Sequence, residues 1–234
     1  MNILALETCF GACSVAAGHQ GQDFACEFEL RQTGHAEALM PMIERVMARA
    51  QLAFSDLDRI AVTTGPGSFT GMRIGIAAAR ALSLTTGVPV AGIPTLDVMA
   101  ETARHRHALN GEGPAWPAHT LVAVDARKDQ VYVQLFGPNQ AATPSAQVLS
   151  PQDAARLLPE GQVVMVGSGA HLVAAHLNVN RSGVQTLYPD LQPSAGCLAL
   201  MACEAHLSEI RVRPLYLRPP DAKPQDGKSI PRLS

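Results

Sequence analysis

Gly65-Pro66-Gly67-Ser68-Phe69-Thr70-Gly71 packs three glycines and a proline between a short apolar run and a long one. A glycine-rich turn at a helix start lets backbone N–H groups converge where the helix adds positive potential, so one chemistry open to it is anion binding. The other role is structural: Ser68 or Thr70 caps the helix, and the glycines admit a closely approaching neighbour. A Walker-type phosphate loop is excluded, because Met72-Arg73 stands where Gly-Lys-Ser/Thr would be needed. A second charged turn, Asp125-Ala126-Arg127-Lys128-Asp129, reads either as a phosphate-facing turn or as a solvated hairpin tip.

Other chemistries find little support. There is no HExxH pair and no G-x-S-x-G elbow, so Ser68 resembles a nucleophile only superficially. Cys9, Cys13, Cys26, Cys197 and Cys203 form neither a CxxC pair nor a zinc-spaced cluster and read as reduced thiols. His105, His107 and His119 read as solvated residues beside a linker. Eighteen Lys+Arg against 20 Asp+Glu leave a net charge of −2, which steers the whole chain onto neither nucleic acid nor an acidic membrane. Met1-Asn2 runs directly into Ile3–Leu6 without a basic n-region, and no apolar run reaches about 18 residues, so a cytoplasmic location is expected.

The elements that must position these turns follow from periodicity. Residues 3–6, 13–17 and 24–30 read as an antiparallel meander. From His35 to Ala50, Leu39, Met42, Ile43, Val46 and Ala50 recur at helical spacing. Ala36, Met40 and Met47 widen the apolar sector to roughly 160°, more than one sheet contact needs, which leaves surface for a partner. Residues 60–63 and 88–93 read as strands around a helix 71–86 that is apolar nearly all round and so expected to be buried on most sides. A helix over 95–104 precedes an aperiodic segment, 105–119, rich in Pro and Gly. A second hairpin (121–125 and 131–136), a strand 163–166 and helices over 151–158, 170–177 and 194–208 follow. The expected organisation is an N-terminal domain over 1–106, a linker over 107–118, a C-terminal domain over 119–218 and a flexible tail over 219–234. Both halves open with a hairpin of apolar strands, the pattern of a duplicated unit.

The blocks ILALET and ACSVA, GHAEALMPMI (34–43), GPGSFTGMRIGIAAARAL (65–82), VDARKDQVYV (124–133) and PLYLRPP (214–220) resemble, in matching order, the TsaB (YeaZ) family. That resemblance implies an α/β fold of two duplicated actin/Hsp70/sugar-kinase-like (ASKHA) domains, with mixed sheets flanked by helices. It implies a non-catalytic partner of TsaD in transfer of a threonylcarbamoyl group from threonylcarbamoyl-AMP to the N6 amine of the adenosine 3′ of the anticodon in tRNA. It further implies TsaE binding to the assembled pair, a homodimer in isolation and only indirect contact with tRNA. No cofactor is expected on this chain alone, while ATP or ADP fits the junction of the complex.

Carried onto this sequence, the resemblance places a nucleotide-facing set at Thr8, Gly11, Asp125, Arg127, Gly167 and Gly169. Hairpin amides and Thr8 could donate to phosphate, and Asp125 could hold a metal-bound water. Glu7 stands where the family carries Asp, and Cys9-Phe10 replaces a small polar pair, which points to a degenerate pocket. Leu39 stands where TsaD has the second His of a HxxxH pair, so His35 is left without a metal partner and neither a metal site nor a catalytic residue is expected. The expected partner surface comprises His35, Leu39, Met40, Met47, Ser68, Phe69, Thr70, Met72, Arg73, Ile76 and Arg80. An independent ATPase or small-molecule kinase of this fold is the alternative, and a peptidase the remote one.

Overall fold

Near-continuous runs of apolar and small residues, buried on both faces, build the centres of two five-stranded sheets in the computed structural model, which describes residues 1–111, 116–138, 142–178, 181–205, 207 and 211–218. The first half contains β1 (Asn2–Glu7), β2 (Ala12–His19), β3 (Ala25–Leu30), α1 (His35–Arg49), β4 (Arg59–Thr63), α2 (Phe69–Thr86), β5 (Val90–Ile93) and α3 (Thr95–Asn110). The second contains β6 (His119–Arg127), β7 (Gln130–Phe136), β8 (Ala142–Leu149), α4 (Pro151–Arg156), β9 (Val163–Val166), α5 (Ala170–Ala174), β10 (Val184–Leu187) and α6 (Ala195–Glu204).

The strand orders are β3-β2-β1-β4-β5 and β8-β7-β6-β9-β10. In each, an antiparallel meander is extended by two parallel strands, with β4 beside β1 and β9 beside β6. The two halves are therefore one topology repeated. Its layers match the α/β, duplicated, mixed-sheet fold read from the sequence.

Each sheet has helices on both faces, and the inner helices are exchanged. Leu39, Met42, Ile43 and Val46 of α1, with Ile76 and Ala79 of α2, bury Leu4, Leu6 and Val15. The opposite face, Ile3, Ala5 and Ala16, is covered by Leu198, Ala199 and Ala202 of the far C-terminal α6. Conversely, Leu96, Met99 and Ala103 of α3 cover Val122 and Val124 of the second sheet. The outer face of that sheet packs on α4 and α5 through Ala154, Ala155, Ala170 and Val173. Neither sheet has both faces covered by its own half of the chain.

Three expectations change. First, α2 is not enclosed: Gly71, Met72, Gly75, Ile76 and Ala79 face inward, but Arg73, Ala77, Arg80, Ala81 and Leu84 are exposed, Leu84 at 87%. Alanine sits on a surface at little cost, so an alanine-rich helix reads as buried all round when it is not. Second, α3 continues to Asn110, through the stretch read as aperiodic, and ends at the left-handed Gly111. The segment 107–118 thus begins inside a helix; residues 112–115 of it, and the whole tail 219–234, lie outside the described residues. Third, the second sheet has two edge strands, β8 and β10, beyond those expected from periodicity.

Candidate functional site

The glycine loop is occupied by its own chain. Ser68 is the N-cap of α2, its Oγ accepting from the Gly71 amide at 2.9 Å. The Ser68 amide donates to the Cys9 carbonyl at 2.6 Å, and the Thr8 hydroxyl donates to the Gly71 carbonyl at 2.7 Å. A Cβ on Gly67 would stand 2.4 Å from the Cys9 carbonyl oxygen, one on Gly71 2.0 Å from that of Thr8, and one on Gly75 2.6 Å from the Thr8 hydroxyl. The glycines therefore exist so that the β1–β2 turn can sit on the first turns of α2. Of the two readings of this loop, the cap and close approach are what the geometry contains. Thr8, expected to face a nucleotide, is 1% exposed, and its hydroxyl is committed to the Gly71 carbonyl.

Glu7 ends β1 beneath that turn and is fully buried. Its Oε1 accepts from the Cys9 amide at 2.6 Å and from the Thr63 hydroxyl at 3.2 Å, and the Cys9 thiol donates to Thr63 Oγ1 at 3.1 Å. Oε2 has no hydrogen-bond partner among the described residues. Burial outweighs these bonds and pushes the carboxyl up to about 8, so the neutral acid prevails at pH 7. Burial, and then Glu7, likewise push the Cys9 thiol up. A neutral, enclosed acid offers neither the charge nor the access that a metal-bound phosphate would need.

Above this plug lies a cleft between the halves, with a volume of about 700 Å³. It gathers Gly11, His35, Ser68 to Met72, Asp125 and Arg127, which the chain order keeps far apart. The Gly11 amide is taken by Gln192 Oε1 at 2.9 Å, and the His35 Nε2 lies 3.3 Å from the Phe10 carbonyl. Asp125 is held from both sides: its amide donates to Ser168 Oγ at 3.1 Å, and its Oδ1 accepts from the Arg127 amide at 2.7 Å. Arg127, Lys128 and Asp129 all adopt the left-handed region, with φ of 61°, 55° and 54°. Left-handed backbone costs roughly 1 kcal/mol or more per non-glycine residue, and it persists where the surroundings fix it. Gly167 and Gly169 do not line the cleft; they back the turn, and a Cβ on Gly169 would stand 3.1 Å from the Asp125 amide.

The residues expected at a partner surface divide. Leu39, Met47 and Ile76 are 2%, 3% and 2% exposed and belong to the first core, which corrects their placement on a free face. Their helical stripe is consumed by the sheet. Met72 is likewise buried, although it borders the cleft. Met40 remains 42% exposed, and Thr70, Arg73 and Arg80 are exposed on α2. Ala36 and Glu37 share the cleft with Ile74, so Met40, one turn on from them, borders the seam between α1 and α2.

A strap over 211–218 runs along the cleft and lines it through Leu215 to Arg218, a role that the PLYLRPP block does not reveal as sequence. Its Leu215 amide donates to the Thr64 carbonyl at 2.7 Å. Tyr216 stacks on Phe69 at 5.1 Å and accepts from Arg73 Nε at 2.9 Å, while the Arg73 guanidinium lies 3.9 Å over the Phe69 ring. Arg218 then donates to the Ala126 carbonyl in the second half. Among the described residues, no group of three or more His, Cys, Asp or Glu side chains converges as a metal site, and no helix is long and apolar enough to cross a membrane.

Comparison with known proteins fits this arrangement. Residues 29–190 match the family model described as TsaD, tRNA N6-adenosine threonylcarbamoyltransferase. The tRNA threonylcarbamoyladenosine biosynthesis protein TsaB of Haemophilus influenzae is 28% identical over 230 residues, covering 93% of this chain and 94% of that one. TsaB of Escherichia coli is 36% identical over 132 residues, 56% of this chain and 53% of its own. The solved structure of YeaZ from Pseudomonas aeruginosa superposes with a TM-score of 0.77 at 29% identity, over 92% of this chain and 99% of that one. With the duplicated sheets, the plugged first turn and these similarities together, the chain belongs to the TsaB (YeaZ) family of tRNA threonylcarbamoyladenosine biosynthesis proteins, within the group matched by the TsaD model.

Proposed function

We propose that this chain is a non-catalytic partner of TsaD, supporting transfer of the threonylcarbamoyl group from threonylcarbamoyl-AMP to the N6 amine of the adenosine 3′ of the anticodon. The observation that carries this reading is the β1–β2 turn: Thr8 is bonded to Gly71, and Glu7 is buried and neutral. The place where a working member of the fold would grip phosphate is filled by its own α2. His35 is turned to a backbone carbonyl, with the apolar Leu39 one turn on. The surface that α1 and α2 leave open, with Met40, Ala77, Ala81 and Leu84, is the docking face, and in isolation the same face pairs two copies.

The cleft favours one elaboration. With Asp125, Arg127 and Tyr132 on one wall and His35 on the other, it suits an ATP or ADP held at the junction once TsaD closes it, and TsaE would recognise that assembled pair. An independent ATPase is the competing reading. Titration calorimetry with ATP and Mg²⁺ separates them: the partner role expects no turnover by the chain alone, whereas micromolar binding with hydrolysis would establish the ATPase. Co-purification of tagged TsaD with this chain tests the partnership itself, and failure of the two to associate, with and without nucleotide, would defeat it.

A further inference from the structure

The overall charge of −2 conceals a sharp asymmetry. No Asp or Glu stands between Asp58 and Asp97, the stretch that forms β4, the glycine loop, α2 and β5. None stands between Glu209 and Asp221 either, the stretch that holds the strap. The fold lays one of these acid-free stretches on the other. Leu215 bonds Thr64, Arg80 donates to the Val212 carbonyl, and a Cβ on Gly92 would stand 2.7 Å from Val212 Cγ1.

The combined stretches carry Arg73, Arg80, Arg211 and Arg213 and no carboxylate in their own sequence. Arg211 and Arg213 are exposed on either side of the half-buried Val212, whose carbonyl accepts from Arg80 and whose side chain lies against Gly92. Neither makes an ion pair among the described residues. Further along the strap, toward the start of α2, the stacked Phe69–Tyr216 pair is partly open to solvent, Tyr216 at 42% exposure. Two exposed guanidinium groups that make no ion pair among the described residues, on the same strap as a partly open aromatic ring, have the chemistry that holds an RNA backbone and stacks an unpaired base. An acidic protein would call on the charges but not on the ring.

We propose that the strap and α2 form a direct contact surface for tRNA, with Arg211 and Arg213 on its phosphates and Tyr216 at its edge. This rests on the reading of the chain as part of a tRNA-modifying assembly. It departs from the expectation that the net charge excludes such contact, because the relevant quantity is the local charge that folding creates. Arg73 and Arg80 flank the open α2 face on the strap side, so the RNA surface adjoins the docking face.

The test is a fluorescence-anisotropy titration of a labelled tRNA transcript with this chain alone and with its complex with TsaD. Arg211→Glu/Arg213→Glu and Arg211→Lys/Arg213→Lys are compared with the parent across a salt series. The Glu pair should weaken binding about tenfold and lower the slope of log affinity against log salt by roughly 1.4 to 1.8, the loss of two phosphate contacts. The Lys pair should stay within about twofold, and both should co-purify with TsaD as the parent does. Unchanged affinity and slope in the Glu pair would overturn the RNA surface. So would loss of TsaD with RNA affinity retained, which would make the patch a protein contact. Failure of the unmutated chain to bind TsaD would count against the partnership alone, since the titration of the isolated chain still decides the RNA question.

Discussion

Thr8 and Gly71 are locked face to face: the Thr8 hydroxyl donates to the Gly71 carbonyl at 2.7 Å, and the Thr8 carbonyl oxygen lies 2.0 Å from where a Gly71 side chain would begin. This contact converts a loop that could receive an anion into the seat of a neighbouring turn. Gly71→Ala forces backbone against backbone and should lower stability by roughly 2 kcal/mol or more. Ser68→Ala, which removes only the cap, should cost about 1 kcal/mol. Urea denaturation of the two variants checks the order; equal losses would mean that the glycine is not held by contact.

Glu7 sets a pH dependence. Its folded-state pKa, about 8, lies above the ordinary 4.5, so between these values the folded state holds a proton that the unfolded state releases. Its contribution is fully present below about 4.5 and is lost as pH rises toward about 8. Glu7→Gln keeps an acceptor for Cys9 and Thr63 without that proton. Its melting temperature relative to the parent should therefore rise between pH 5 and pH 8.5, and a constant difference across that range would refute a buried neutral acid.

The open helical face is tested by Met40→Glu and Leu84→Glu. Both positions are exposed, 42% and 87%, so each change should alter stability by no more than about 0.5 kcal/mol. Association with TsaD should fall at least tenfold in a quantitative pull-down. Ile76→Glu, by contrast, should unfold the chain, because Ile76 is 2% exposed within the first core.

The strap joins the halves through the Phe69–Tyr216 stack and the bond from Arg218 to Ala126. Tyr216→Ala should cost about 1 kcal/mol for the lost stacking. It should also speed amide exchange at Leu215, whose N–H is bonded to Thr64, while the amides of β1 stay protected. Uniform acceleration across both would show that the strap is no separate unit.

Local chemistry was legible in the sequence; long-range placement was not. Ser68 as a cap, the hairpins and the stripe Leu39-Met42-Ile43-Val46 follow from patterns a few residues long, and they were read correctly. That Thr8 is what the glycines admit depends on a contact between residues 63 positions apart in the chain, which no local pattern encodes. The same holds for α6, whose apolar residues announce a buried helix but not that the first sheet is what they bury. Excess apolar width in α1 was partly absorbed by the sheet through Met47, leaving Met40 as what stays open. PLYLRPP stands out as a block in the sequence, yet its bridging role exists only once Thr64 and Ala126 stand on either side of it.

Reconstituted threonylcarbamoyl transfer tests the central claim most directly, with labelled threonylcarbamoyl-AMP and a tRNA transcript supplied to this chain alone, to TsaD alone, and to both. The account predicts no transfer by this chain alone, efficient transfer by the pair, and a fall of at least tenfold when Leu84→Glu replaces the parent. Transfer by this chain without TsaD, or equal transfer by TsaD with and without this chain, would contradict it.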